Sequence, residues 1–171
     1  KTAIPDMRRF TSIDFTSPSI GRAVGWDGNF ATTTDGGETW DVVRLGTPTG
    51  IRALHFTDPT KAWAIWSGEL WRTSDAGMTW RPDTPEGSTD TPLRDLTFTP
   101  NGTGWLVGSA GKIWKRSAET GSWTPTPSGA TEELLKVYFQ NDEQGWICGV
   151  NGTALRTVDG GESWQTLDVE S

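Results

Sequence analysis

TTTDGGETW, Thr32 to Trp40, is written into this chain repeatedly. Its skeleton of Thr33, Asp35, Gly37, Thr39 and Trp40 returns as Thr73, Asp75, Gly77, Thr79 and Trp80, and again as Thr157, Asp159, Gly161, Ser163 and Trp164. A degenerate copy ends in Ser122 and Trp123, with Arg116, Ala118 and Thr120 where Thr, Asp and Gly would stand. The spacing is that of a tight hairpin turn. An Asp side chain accepts N–H groups of the residues that follow it, and Gly supplies a positive φ without steric cost. The hydroxyls bond nearby backbone, and the Trp lies back over the turn where the next strand starts. Nothing in that set of groups is catalytic, so these residues are expected to be structural.

Working outward, the turn belongs to a unit of about forty residues written four times. The closing tryptophans stand at 40, 80, 123 and 164, steps of 40, 43 and 41. Phe15, Phe56, Phe98 and Phe139 keep the same beat, as do Gly28, Gly68, Gly111 and Gly152. Each unit parses into four short strands. The first strands are FTSIDF (10–15), IRALHF (51–56), LRDLTF (93–98) and LLKVYF (134–139), with an aliphatic residue two before each Phe and so on the same face. The second strands are GRAVG (21–25), AWAIW (62–66), GWLVG (104–108) and GWICG (145–149). Two-residue turns follow at Asp27-Gly28, Ser67-Gly68, Ala110-Gly111 and Asn151-Gly152. Third strands run into the repeated turn, and fourth strands open at the Trp. Proline in two of the fourth strands fits an outer edge.

The turn resembles the Asp-box, or bacterial neuraminidase repeat, which marks the link between third and fourth strands of β-propeller blades. The full unit resembles the photosystem II stability and assembly factor family, whose repeat runs F…GWAVG…G.I..T.DGG.TW. The chain carries FQNDEQGWICGVNGTALRTVDGGESW from Phe139 to Trp164. The resemblance implies an all-β propeller, of which the four repeats, near 1–47, 48–91, 92–129 and 130–171 of a single domain over 1–171, would be four four-stranded blades. It also implies a non-enzymatic, protein-binding scaffold outside the cytoplasm (periplasmic, lumenal or secreted). That family builds rings of about seven blades. Four repeats are roughly half of one, so a second chain completes a half-ring (a homodimer of eight blades), the chain closes as a small four-bladed ring, or it is a segment of a longer propeller. Sialidases, sortilin-like receptors and xyloglucan-cleaving hydrolases also carry Asp-boxes, so the motif alone does not choose a function.

A net charge of -7 argues against nucleic acid or an anionic membrane surface as main partner. No apolar run approaches the roughly 20 residues of a membrane span, and no signal-peptide pattern is read. The single cysteine, Cys148, sits in an apolar run and is expected to be a small buried hydrophobe. No metal or cofactor is called for, since His55 has no His, Cys or paired carboxylate beside it in sequence.

Two sets of residues stand out as partner-binding candidates. One basic residue lies near the start of each first strand, Arg9, Arg52, Arg94 and Lys136, and together they suggest a cationic collar for an acidic protein segment. Trp26 and Trp66 enter the loop after the second strand and do not recur in the other two units. They suit a contact surface for protein or glycan, which keeps a lectin-like module as the alternative reading. A sialidase-like hydrolase is the third. Asp14 and Asp95 can be cast as its carboxylate pair and Tyr138 as its nucleophile, with no local sequence in support.

Overall fold

The computed structural model describes residues 10–44 and 50–168; Arg9 of the expected collar lies outside them. The described residues fall into two compact units, which part between Pro82 and Asp83. Each unit holds two four-stranded antiparallel sheets, and in every sheet the strands follow in chain order. These are propeller-type blades.

In the first unit, one blade consists of β1 (Phe10–Phe15), β2 (Gly21–Gly25), β3 (Asn29–Thr33) and β4 (Asp41–Arg44). The other consists of β5 (Ile51–Phe56), β6 (Ala62–Trp66), β7 (Glu69–Thr73) and β8 (Arg81–Pro82). In the second unit the blades are β9 (Leu93–Phe98), β10 (Gly104–Gly108), β11 (Ile113–Arg116), β12 (Trp123–Thr126), and β13 (Leu134–Phe139), β14 (Gly145–Gly149), β15 (Ala154–Thr157), β16 (Gln165–Thr166). First and second strands match the sequence reading residue for residue. Outer strands are short: β8 and β16 have two residues each, and β8 ends at Pro82, which has no N–H to extend the ladder.

Within each blade the Phe ending the first strand pairs with the residue opening the second, Gly21, Ala62, Gly104 or Gly145. A Cβ on Gly21, Gly104 or Gly145 would lie 2.6 to 2.8 Å from that ring, so glycine lets the ring lie flat across its neighbour. The turn Trp then meets the Phe edge-on, at 6.2 Å for Phe15–Trp40 and Phe98–Trp123 and 5.9 Å for Phe139–Trp164.

Blades pack through a recurring slot. In the second unit Trp105 of β10 stacks on Phe139 at 5.0 Å and 12°, and meets Trp164 edge-on at 5.8 Å. It is fully buried, with Val107, Ile113, Leu134, Val137 and Ile147 completing the core. Gly161 of the Asp-box forms its seat, because a Cβ there would come within 2.0 Å of the Trp105 ring. In the first unit the same register of β2 holds Arg22, whose guanidinium lies 4.1 Å from the Phe56 ring centroid. Phe30 there fills against Gly77, where a Cβ would sit 2.8 Å away. Val24, Phe30, Leu54, Phe56 and Ala64 form that unit's core. Arg22 is buried and donates from Nη2 to the Pro59 carbonyl at 2.7 Å, while its Nε and Nη1 have no hydrogen-bond partner. Burial lowers its pKa, with Asp14 acting in the opposite sense.

Three expectations need correction or refinement. Cys148 is exposed rather than buried. Val24, Ile65 and Val107 hold its register in the other blades and are wholly buried, whereas nothing among the described residues covers this face of the last blade. The link between β2 and β3 is a three-residue 3₁₀ turn, Trp26–Gly28, rather than a two-residue turn at Asp27-Gly28. The other three links have positive φ at both central residues (Ser67-Gly68, Ala110-Gly111, Asn151-Gly152), as a type I′ hairpin requires. The extra residue sets the Trp26 ring against Gly50, where a Cβ would lie 2.7 Å from it. Finally, residues 83–91, assigned above to the second repeat, pack along the third blade. The Trp114 indole donates to the Glu86 carbonyl at 3.0 Å and Lys112 Nζ to Thr91 Oγ1 at 2.8 Å.

Trp105→Ala should remove the stack and leave a cavity over Gly161, at a cost of about 3–5 kcal/mol. Urea unfolding of the variant beside the parent measures it; a loss under about 1 kcal/mol would mean that the slot does not hold the two blades together.

Candidate binding surface

The Asp-box turns share one geometry. Thr33 Oγ1 donates to Asp35 Oδ1 at 2.7 Å and accepts Gly37 N–H at 2.9 Å. Asp35 Oδ1 also accepts Thr39 N–H at 2.9 Å, and its Oδ2 takes the Thr39 hydroxyl. Thr73, Asp75, Gly77 and Thr79 repeat this arrangement, as do Thr157, Asp159, Gly161 and Ser163. The indoles of Trp40 and Trp80 donate to the Gly37 and Gly77 carbonyls at 3.2 and 3.0 Å. The carboxylates therefore each accept several donors from their own turn. Those bonds hold Asp75 and Asp159 down to about 2, with Ser/Thr hydroxyls the leading cause, and Asp35 lower still. The degenerate third copy has Ala118 in place of the Asp. Its Ser117 hydroxyl accepts Thr120 N–H at 3.1 Å, and the Trp123 indole turns instead to Asp83 Oδ2 at 3.2 Å.

First strands of neighbouring blades are tied by side chains rather than by a ladder. Ser12 Oγ accepts Leu54 N–H at 3.2 Å, and Asp14 Oδ2 accepts Phe56 N–H at 2.6 Å. In the second unit Asp95 Oδ2 accepts Val137 N–H at 3.1 Å, while Lys136 Nζ donates to Oδ1 at 3.3 Å. Burial pushes the Asp95 carboxyl up, against the opposing effect of these two donors. Asp14 and Asp95, cast as a hydrolytic pair, thus both serve to hold the next blade. Tyr138 is exposed and lies flat against Trp146 at 6.3 Å.

The collar residues are in different situations. Arg52 is exposed on β5. Arg94, half-buried on β9, forms an ion pair through Nε with Glu133, just ahead of β13. Lys136 is exposed on β13 and pairs with Asp95. In the second unit, therefore, both basic residues sit beside acids of the adjoining blade, a pattern that sequence spacing did not reveal. Trp26 is 48% exposed. Trp66 packs against the first unit's core and meets Trp71 at 5.1 Å with the rings tilted by 45°. Arg22 was missed by sequence reading, because its register is filled by Trp in the other three units and only the fold shows it buried in the slot.

Among the described residues no three His, Cys, Asp or Glu side chains are placed to hold a metal ion. No helix is long and apolar enough to cross a membrane.

No family profile matches the sequence. Curated relatives do. A photosystem II assembly protein Ycf48 from a Synechococcus species is 28% identical over 145 residues, spanning 78% of this chain and 41% of the relative. A photosystem II assembly lipoprotein Ycf48 from a Nostoc species is 29% identical over 145 residues, spanning 81% of this chain and 42% of its own length. The chain thus spans about two fifths of the curated relatives it matches. Among solved structures, YCF48 from Cyanidioschyzon merolae superposes with a TM-score of 0.71 at 18% identity, covering 96% of this chain and 61% of that one. YCF48 bound to D1 peptide gives 0.53 at 21% identity, covering 97% and 69%. The Niastella koreensis GH74 enzyme gives 0.72 at 17% identity over 93% of this chain and 29% of that one, a likeness of fold alone.

Each Asp-box carboxyl has a depressed pKa, so its contribution is complete above the unfolded value of about 4 and is lost as pH falls towards about 2. Asp75→Ala and Asp159→Ala should each lower the melting temperature at neutral pH by roughly 2–4 °C and flatten the acid limb of the stability curve. Parallel thermal melts from neutral pH to pH 2 check both signs. At the first-strand tie, Asp95→Ala leaves the Val137 N–H without an acceptor and should cost about 1–3 kcal/mol, whereas Asp95→Asn keeps one and should cost less than half as much. Equal losses in denaturant titrations would show that the ion pair, not the backbone bond, is what Asp95 provides. Repeat, blade and relative agree: the chain is an Asp-box β-propeller array, similar to the photosystem II assembly factors.

Proposed function

We propose that this chain is a non-enzymatic, protein-binding propeller module of the assembly-factor kind, which holds a polypeptide segment against its first-strand surface. The observation that carries the reading is the use made of Asp14 and Asp95. The inner-strand carboxylates that a hydrolase would need are occupied as acceptors for the next blade's backbone. The peptide-bound state of a structurally similar YCF48 supports a polypeptide ligand, and the relatives' names as lipoproteins support a place outside the cytoplasm. Recognition of an acidic stretch would fall to basic residues of the first strands, Arg52 in the first unit and, in the second, Lys136 and Arg94, whose ion pair with Glu133 is open to water. Arg9 belongs to the same sequence series.

A glycan-binding reading draws on one observation, the exposed Trp26 ring laid against Gly50. Such a ring suits stacking on a sugar as well as on a protein side chain. Trp26→Ala separates the two: loss of binding on a glycan array with peptide binding intact selects the lectin.

The D1 peptide named for the relative is the natural probe. Anisotropy titration should show binding that weakens with added salt, and Arg52→Gln with Lys136→Gln should reduce affinity several-fold at low ionic strength and flatten the salt dependence. A double variant that binds as the parent does, with the same salt slope, would remove the basic residues from the contact. Binding of neither D1 nor acidic control peptides would remove the polypeptide reading itself.

A further inference from the structure

The interface between the third and fourth blades has a definite recipe. One face offers Trp105, Val107 and Lys115. The opposing face receives Trp105 on Phe139 and Gly161 and binds Lys115 Nζ through Glu162 Oε1 at 2.6 Å. The same recipe is written on two further faces of the chain, where nothing among the described residues fills it.

On the first blade, Phe15, Gly37, Glu38 and Trp40 occupy the registers of Phe139, Gly161, Glu162 and Trp164. Ile13 and Phe15 are 58% and 42% exposed, and an apolar groove of about 490 Å³ runs between β1, Ala23 and Trp40. Among the described residues, the atoms nearest a Cβ on Gly37 belong to its own blade's Trp40 and Phe15, at 3.7 to 3.9 Å. On the last blade, Trp146, Cys148 and Arg156 occupy the registers of Trp105, Val107 and Lys115. Tyr138 and Cys148 are exposed, and Arg156 lies exposed with its guanidinium 5.9 Å from the Trp146 ring. One face is therefore a receptor with an acid at its rim. The other is its insert, with a base at the matching register.

We propose that these faces are a self-association surface, on which the last blade of one copy docks onto the first blade of a second copy of this chain. Trp146 would lie on Phe15 and Gly37 as Trp105 lies on Phe139 and Gly161, and Arg156 would pair with Glu38 as Lys115 pairs with Glu162. A second copy is the occupant because both halves of the contact, in shape and in charge, are carried by this one sequence. Each copy has one of each face, so a reciprocal pair would leave neither apolar face in water.

Light scattering of the full chain over a concentration series tests the contact. The mass should rise from 18.7 kDa towards twice that value. Glu38→Arg and Arg156→Glu each place like charges at both junctions, and each should weaken self-association by about tenfold or more. Mixed one to one, the two variants place opposite charges at both junctions and should recover the parent's association. Both sites are exposed, so the variants should keep the parent's melting curve, and the rescue itself excludes misfolding. A mass of 18.7 kDa at every concentration overturns the proposal. So does a variant that associates as well as the parent, or a mixture no heavier than its components.

Discussion

Everything in this structure depends on a blade having two apolar faces and strands of only two to six residues to bury them with. A four-stranded sheet of this length is not stable by itself, so each blade needs a neighbour pressed against it. The contact that supplies this is narrow. A large side chain from the second strand of one blade lies on the Phe ending the first strand of the next, and a ring of the first blade, Trp105 or Phe30, sits on a glycine of the next blade's Asp-box, Gly161 or Gly77. Trp105 on Phe139 and Gly161 shows it with an aromatic stack, and Arg22 on Phe56 shows that a guanidinium plane serves as well. The glycine of the motif thus has two roles at once. Its positive φ makes the turn, and its missing Cβ admits the neighbour.

That double role explains how the third copy of the turn can lose its Asp and Gly and keep its Trp. The carboxylate is needed only to tie the turn's own donors, and Ser117 with Gly121 does this in another way. The Trp is needed for the blade's own core, where it meets Phe98 edge-on. With no carbonyl placed beneath it, its indole N–H finds Asp83 instead, and the strand-free segment 83–91 is drawn along the outer edge of the same blade. A lapse in the motif and an apparent misplacement of the repeat boundary are therefore one event.

The period was legible because aromatic spacing in a repeat protein reports a contact made once per unit. All four first strands and all four second strands could be read from Phe and Gly positions alone. Where the reading failed, the missing information was three-dimensional. Cys148 has the same sequence surroundings as Val107, and only its place on the last face exposes it. Asp27-Gly28 has the composition of a two-residue turn, yet the register that seats Trp26 on Gly50 adds a residue to it. The collar was legible as a series of basic residues, but Glu133 and Asp95 lie 39 and 41 residues from the bases they meet, beyond the reach of any local pattern.

Those acids set the terms on which an acidic segment would bind. The Arg94–Glu133 pair is open to water, at 27% and 29% exposure of the two side chains, so it is a weak pair in which one anion can replace another at small cost. Asp95 is different, since it also holds Val137 N–H and is nearly buried. A ligand carboxylate can compete for Lys136, which is mostly exposed, but displacing Asp95 from its strand would break the tie between two blades. The first-strand surface is therefore graded. Lys136 and Arg94 can exchange an internal partner for an external one, while the acids beneath them stay fixed. In a chain of net charge -7 such exchange sites would confine any attraction for an anionic segment to a small area. The blades would keep the same packing whether that area is occupied or not.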